Sequence, residues 1–125
     1  MRDFAIHVTH RPGEIARIAG ALGRKGVNIK SVAGMTVANQ ALIRILTDEV
    51  EEARSALQES NIRFEESELA TVLLENKAGE LAEVASKLSN AGVNLEAMYV
   101  VGLSGDLVEL AIVADDIKKA KKALG

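Results

Sequence analysis

The feature that most limits how this chain can fold is an internal repeat at an offset of 66 residues. Residues 12–32 set against residues 78–98 give identities at Gly13/Gly79, Glu14/Glu80, Ala16/Ala82, Ala19/Ala85, Leu22/Leu88, Gly26/Gly92, Val27/Val93 and Asn28/Asn94, eight of twenty-one positions. Ile15 and Leu81, Ile18 and Val84, and Ile29 and Leu95 keep their apolar character. One supersecondary unit has been duplicated, so a fold that explains the first half must also explain the second. The expected domains are residues 1–66 and 67–125. A unit of about sixty residues buries only about 60% of its unfolded surface, so sharing an interface or dimerising is expected of it.

Each copy opens with alternation, Phe4, Ile6 and Val8 in the first and Val72 and Leu74 in the second, which predicts a half-buried strand. Ile15, Ile18, Ala19 and Leu22, and again Leu81, Val84, Ala85 and Leu88, recur at helical spacing and predict one apolar helix face per copy. Gly26 and Gly92 stand where a glycine just past a helix ends it. Strands are predicted at residues 28–37 and 41–47, mirrored at 94–101 and 107–113, with turns at Asn39-Gln40 and Ser104-Gly105-Asp106. Asp48 is the predicted cap of a second helix carrying Val50, Ala53 and Leu57 on one face, and Asp115, Ile117, Ala120 and Leu124 repeat it. Ile62 and Phe64 predict a closing strand that has no counterpart in the second copy. The fold class is therefore α+β: tandem ferredoxin-like βαββαβ units, each an antiparallel sheet with its helices on one face, the second without its last strand. The edge so left is open, completed by a partner chain, or short of a strand that the given stretch of sequence does not include.

Composition removes many functions. There is no cysteine, so disulfides, thiolate metal sites and cysteine nucleophiles are excluded, and a cytoplasmic location is expected. A net charge of −3 and three aromatic residues, Phe4, Phe64 and Tyr99, argue against nucleic acid as a partner. The cluster Lys118, Lys119, Lys121 and Lys122 ends a helical pattern, where it complements the helix dipole. No apolar run is long enough to cross a bilayer, so no membrane partner is expected. His7 falls on the sheet face opposite the apolar residues and His10 in a loop, neither with neighbours at metal-ligand spacing, so no metal and no cofactor are expected. Gly20, Gly23 and Gly26 lie late in a helix, which rules out a phosphate-binding glycine loop. The serines fall in no nucleophile motif, and Arg11 alone does not make an acyl phosphatase, so no enzyme is predicted.

The most informative segment is His10-Arg11-Pro12-Gly13-Glu14-Ile15 and its partner Asn76-Lys77-Ala78-Gly79-Glu80-Leu81, each followed by an amphipathic helix and then Gly-Val-Asn-Ile or Gly-Val-Asn-Leu. With these motifs the whole chain resembles a tandem pair of ACT domains, small regulatory modules that bind amino acids. The resemblance implies a ligand held between the helix-opening loop of one unit and the second strand of a neighbouring unit. A tandem chain is able to pair its own two copies in that way. The implied site residues are those of the two loops together with Asn28, Ile29, Asn94 and Leu95. His10 and Ala78 depart from the Asp or Asn and the Pro usual at those places, which implies that the two sites differ.

The chemistry of such a site follows from the backbone. The first N–H groups of a helix have no intrahelical acceptor and lie at its positive end, so they hold a carboxylate. Gly13 and Gly79 allow close approach, and Asn28 and Asn94 offer oxygens to an ammonium. Glu14 and Glu80 serve the helix dipole and, as anions, compete with a carboxylate there. Each of these residue types is also an ordinary structural signal. The expected function is a non-catalytic regulatory protein that binds a small amino acid or related metabolite, forms a homodimer and acts on a partner protein. The alternative is an interaction scaffold with empty sites.

Overall fold

The computed structural model describes all residues from Met1 to Gly125. They form two units, Met1–Ser67 and Glu68–Gly125.

In the first unit the alternation of Phe4, Ile6 and Val8 becomes strand β1, Arg2–Thr9. Helix α1, Glu14–Arg24, follows, then strands β2, Ser31–Val37, and β3, Gln40–Thr47, helix α2, Val50–Glu59, and the short strand β4, Glu65–Ser67. The sheet order is β2-β3-β1-β4, antiparallel throughout. The register sets Phe4 opposite Ile45 and Ile6 opposite Ile43, so these four side chains share one face. That face packs with Ile18 and Leu22 of α1 and with Ala53 and Leu57 of α2 to make the core. Each such apolar side chain contributes about 1.5–3 kcal/mol on burial.

The second unit repeats the plan with β5, Ala70–Glu75, α3, Glu80–Asn90, β6, Leu95–Ser104, β7, Leu107–Ala114, and α4, Ile117–Leu124. Its sheet has three strands in the order β5-β7-β6, with no counterpart of β4. Its core gathers Val84, Leu88, Val93, Ile112 and Ala120. No helix is long and apolar enough to cross a membrane.

Both first helices stop as their glycines predict. Gly26 and Gly92 have φ of 71° and 73°. The N–H groups of Val27 and Val93 reach back to the carbonyls of Leu22 and Leu88 at 3.0 Å, and those of Gly26 and Gly92 to Gly23 and Ser89. This is a Schellman stop, which satisfies carbonyls the helix end leaves unpaired.

Five local expectations are corrected. β2 begins at Ser31 and not at residue 28, because the chain first ties the Lys30 N–H to the Leu46 carbonyl at 2.8 Å. The first hairpin turns at Ala38-Asn39, one residue earlier than predicted, because Val37 pairs with Gln40, and Ala38 takes the positive φ of 56°. Asp48 does not cap α2: its carboxylate is drawn to Lys30 Nζ at 2.6 Å, which holds its pKa down, and Glu49 occupies the cap without a side-chain bond. In the second unit the cap is Asp116, whose Oδ1 accepts the Lys119 N–H at 3.1 Å, and not Asp115. The predicted apolar faces of α1 and α3 are also wider than the buried ones. Ile18, Leu22, Val84 and Leu88 are buried, whereas Ile15 and Leu81 remain about half exposed, at 50% and 54%.

Candidate functional site

The two helix-opening loops have matching backbones. Gly13 and Gly79 occupy the cap positions of α1 and α3 with φ of 91° in both, a left-handed conformation that a side chain strains. No side chain caps either helix. The first intrahelical bonds run from Arg17 N–H to the Gly13 carbonyl and from Glu83 N–H to the Gly79 carbonyl, at 3.0 and 3.1 Å. Each loop is tied to the hairpin of its own unit, His10 N–H to the Asn39 carbonyl at 2.9 Å and Asn76 N–H to the Asp106 carbonyl at 2.7 Å.

The charges around the two loops differ. Glu14 is 7% exposed, and its carboxylate accepts Arg11 Nε at 2.5 Å and an Arg17 guanidinium N–H at 2.9 Å. The Arg17 bond first, and the Arg11 bond with it, hold Glu14 below the ordinary carboxylate range. Its charge is thus committed inside the loop. In the second loop Lys77 Nζ lies 2.7 Å from Glu75 and 3.7 Å from Glu80, and the Glu75 pairing raises the Lys77 pKa. Arg11, Pro12 and Gly13 are exposed, as are Lys77, Ala78 and Gly79.

Within one unit the two parts of the sequence-predicted site are apart. Asn28 and Ile29 follow the C-terminal end of α1 and the loop precedes its N-terminal end; eleven residues at about 1.5 Å each separate them by about 16 Å. The strand register agrees. Ser31 pairs with Leu46, which pairs with Asp3 at the start of β1, whereas the loop leaves from Thr9 at the far end. Asn94 and Leu95 stand in the same relation to Asn76 and Leu81 across α3.

The asparagines have structural work where they stand. The Asn28 carbonyl accepts the Thr47 hydroxyl at 2.9 Å, and its N–H donates to Glu49 Oε1 at 3.3 Å. Asn94 donates its N–H and its side-chain amide to the Asp115 carboxylate at 3.1 and 3.2 Å, and its carbonyl accepts the Asp115 N–H at 3.1 Å. The Asn94 N–H is the chief cause of the lowered Asp115 pKa. Asn94 and Leu95 also line a hollow of about 370 Å³ beside Ala85 and Leu88 of α3.

The sequence did not single out Thr36. Its hydroxyl lies 3.5 Å from His10 Nδ1, placing the outer end of β2 beside the first loop. The signal was present in the hairpin, since pairing Val37 with Gln40 brings Thr36 level with the end of β1. No group of three or more His, Asp or Glu side chains is placed to hold a metal.

Comparison with known proteins agrees with this architecture. A family model described as an ACT domain pair matches residues 1–124. Among solved structures, a protein of Bacteroides thetaiotaomicron superposes with a TM-score of 0.86 at 20% identity, over 98% of this chain and 85% of that one. The ligand-free regulatory subunit of aspartate kinase from Thermus thermophilus gives 0.68 at 18% identity, over 98% and 88%. Escherichia coli aspartokinase III in complex with lysine and aspartate gives 0.58 at 20% identity, over 98% of this chain and 29% of that one. No curated protein sequence matches the chain. Likeness at these identities establishes the fold, and the family model spans nearly every residue: the chain belongs to the ACT domain pair family.

Proposed function

We propose that this protein is a non-catalytic regulatory module that binds a small amino acid or related metabolite at its helix-opening loops. The observation that carries this reading is the pair of uncapped helix starts, each with its glycine at a φ of 91° despite the changes from His10 to Asn76 and Pro12 to Ala78 around it. A first turn without a side-chain cap offers N–H donors and a positive dipole end to a carboxylate. The ligand's ammonium needs acceptors from elsewhere, and the 16 Å or so between the loop and the start of the second strand of the same unit supports a site completed by another ACT unit. Membership of the family supports the same reading, as does the lysine and aspartate in the Escherichia coli aspartokinase III structure.

The two loops are then unequal sites. The first carries Arg11 and Arg17 around a committed Glu14, and the second a single Lys77 shared between Glu75 and Glu80. Exposed Ile15, Val32, Leu81 and Val100 favour association, and the protein signals from the cytoplasm by changing its own pairing or that of a partner.

Thermal unfolding against a panel of the common amino acids tests the proposal. A ligand at about a hundred times its dissociation constant adds about 2.7 kcal/mol of stability, a rise of several degrees in a chain of this size. A selective rise supports a sensor and names its ligand class. No rise with any amino acid removes the proposal and leaves the scaffold reading.

A further inference from the structure

In the first unit, the edge of β1 that faces away from β3 is paired along only part of its length. β4 meets β1 at Asp3, Phe4 and Ala5, opposite Ser67, Glu66 and Glu65. Continued, that register sets Arg63 against His7, but no hydrogen bond joins the two, and Ile62, Arg63 and Phe64 lie ahead of the strand. Backbone groups of successive strand residues turn to opposite sides, and the His10 N–H turns toward β3's hairpin, to the Asn39 carbonyl. The N–H and C=O of His7 therefore point away from β3, into the space that β4 leaves.

That space is a hollow of about 650 Å³. Its walls carry the exposed side chains of His7, Arg63 and Glu65, and Ala5, Ile62 and Phe64 give it apolar surface. Arg63 and Glu65 bear opposite charges two positions apart, yet neither is engaged in an ion pair or a side-chain hydrogen bond, with each other or with any other residue. A free guanidinium and a free carboxylate thus stand beside a backbone donor and a backbone acceptor on one side of a strand, and the set suits a ligand that carries both signs.

We infer that this hollow is a second ligand site, separate from the helix-opening loops, which takes one free α-amino acid with an apolar side chain as its zwitterion. One residue of a paired strand would meet His7 through a carbonyl and an N–H on the same side, and a free amino acid presents its carboxylate and ammonium in that same arrangement. The carboxylate accepts the His7 N–H and an Arg63 guanidinium N–H, and the ammonium donates to the His7 carbonyl and the Glu65 carboxylate. These bonds are charge-assisted. Ala5, Ile62 and Phe64 meet the ligand's side chain. Size decides against a polypeptide as occupant. β1 ends at Thr9, so only His7 and Thr9 have backbone groups to offer here, whereas a strand usually runs to about five or six residues. The volume of the hollow lies in the range of small-molecule sites.

The test uses the full chain, followed by amide NMR, with L-leucine and L-phenylalanine and with the N-acetyl derivative of each, which lacks the ammonium, and the amide of each, which lacks the carboxylate. At least one of the two amino acids should saturate with a midpoint of about 1 mM or below and move the amides of residues 5–7 and 62–65. Its two blocked derivatives should bind at least about tenfold more weakly. Arg63→Gln should abolish the discrimination between the amino acid and its amide, and Glu65→Gln that between the amino acid and its N-acetyl derivative; a merely structural role moves neither. No saturable shift at these residues, a blocked derivative that binds as well as the amino acid, or discrimination that survives both substitutions overturns the inference. Shifts of the same amides with protein concentration alone, which neither amino acid alters, overturn it in favour of contact between copies. Shifts at the helix-opening loops alone overturn it and leave the loop proposal standing, whereas shifts here alone do the reverse.

Discussion

Replacing Arg44 should destabilise the first unit more than its position on a sheet face suggests. Asp3 is fully buried, and its Oδ1 accepts an Arg44 guanidinium N–H at 2.8 Å, while the Arg44 side chain is 14% exposed. The pair sits on the face opposite the helices, since Asp3 alternates with core-facing Phe4. Arg44→Met keeps an apolar stem and removes the cation paired with a buried carboxylate, which costs about 3–5 kcal/mol. Small domains shift by about 4–8 °C per kcal/mol, so Tm should fall by at least about 12 °C. Asp3→Asn combined with Arg44→Met removes the buried negative charge as well, and the double variant should recover more than half of the loss. Thermal and urea unfolding of the four proteins in the cycle measure this directly. A loss under about 1 kcal/mol for Arg44→Met, or a double variant no more stable than the single one, would show that the Asp3 carboxylate does not depend on Arg44.

Glu14→Gln should destabilise the chain at neutral pH and not in acid. The folded pKa of Glu14 is lowered, so its contribution is present above the unfolded value of 4.5 and is lost as pH falls through the folded one; urea unfolding of both proteins from pH 7 to 3 should show the curves converge. Asp116→Ala removes the α4 cap and should cost about 1 kcal/mol, whereas Asp48→Ala, which caps nothing, should cost less in the same melt. Leu22→Ala, at a fully buried core position, should cost about 2–5 kcal/mol by the same measurement. Gly13→Asp and Gly79→Asp should weaken amino-acid binding unequally in a calorimetric titration, and equal losses contradict the inequality of the two loops.

The elements and their order were legible because their causes are local. Helical spacing of Ile18 and Leu22, alternation of Phe4 and Ile6, and the glycines at 26 and 92 act within a few residues of themselves. What the sequence misread depends on distant partners. Asp48 has the composition of a cap, but Lys30 lies close enough in space to take its carboxylate. The first hairpin turn moved because the register is fixed by Ile43 and Ile45 meeting the core, not by the turn residues. Ile15 and Leu81 fit the apolar pattern yet stay exposed, since periodicity does not reveal how far a neighbouring surface extends. The Arg11, Glu14 and Arg17 cluster was readable in principle from its spacing of three, whereas the Thr47 hydroxyl on the Asn28 carbonyl was not.

The amide spectrum of the full chain, followed while each common amino acid is added in turn, tests whether the helix-opening loops bind amino acids. One amino acid, or a few of related structure, should saturably move the amides of Gly13, Glu14 and Ile15 and of Gly79, Glu80 and Leu81, with different midpoints for the two loops. A spectrum that no amino acid changes, or changes confined to residues far from both loops, would contradict it.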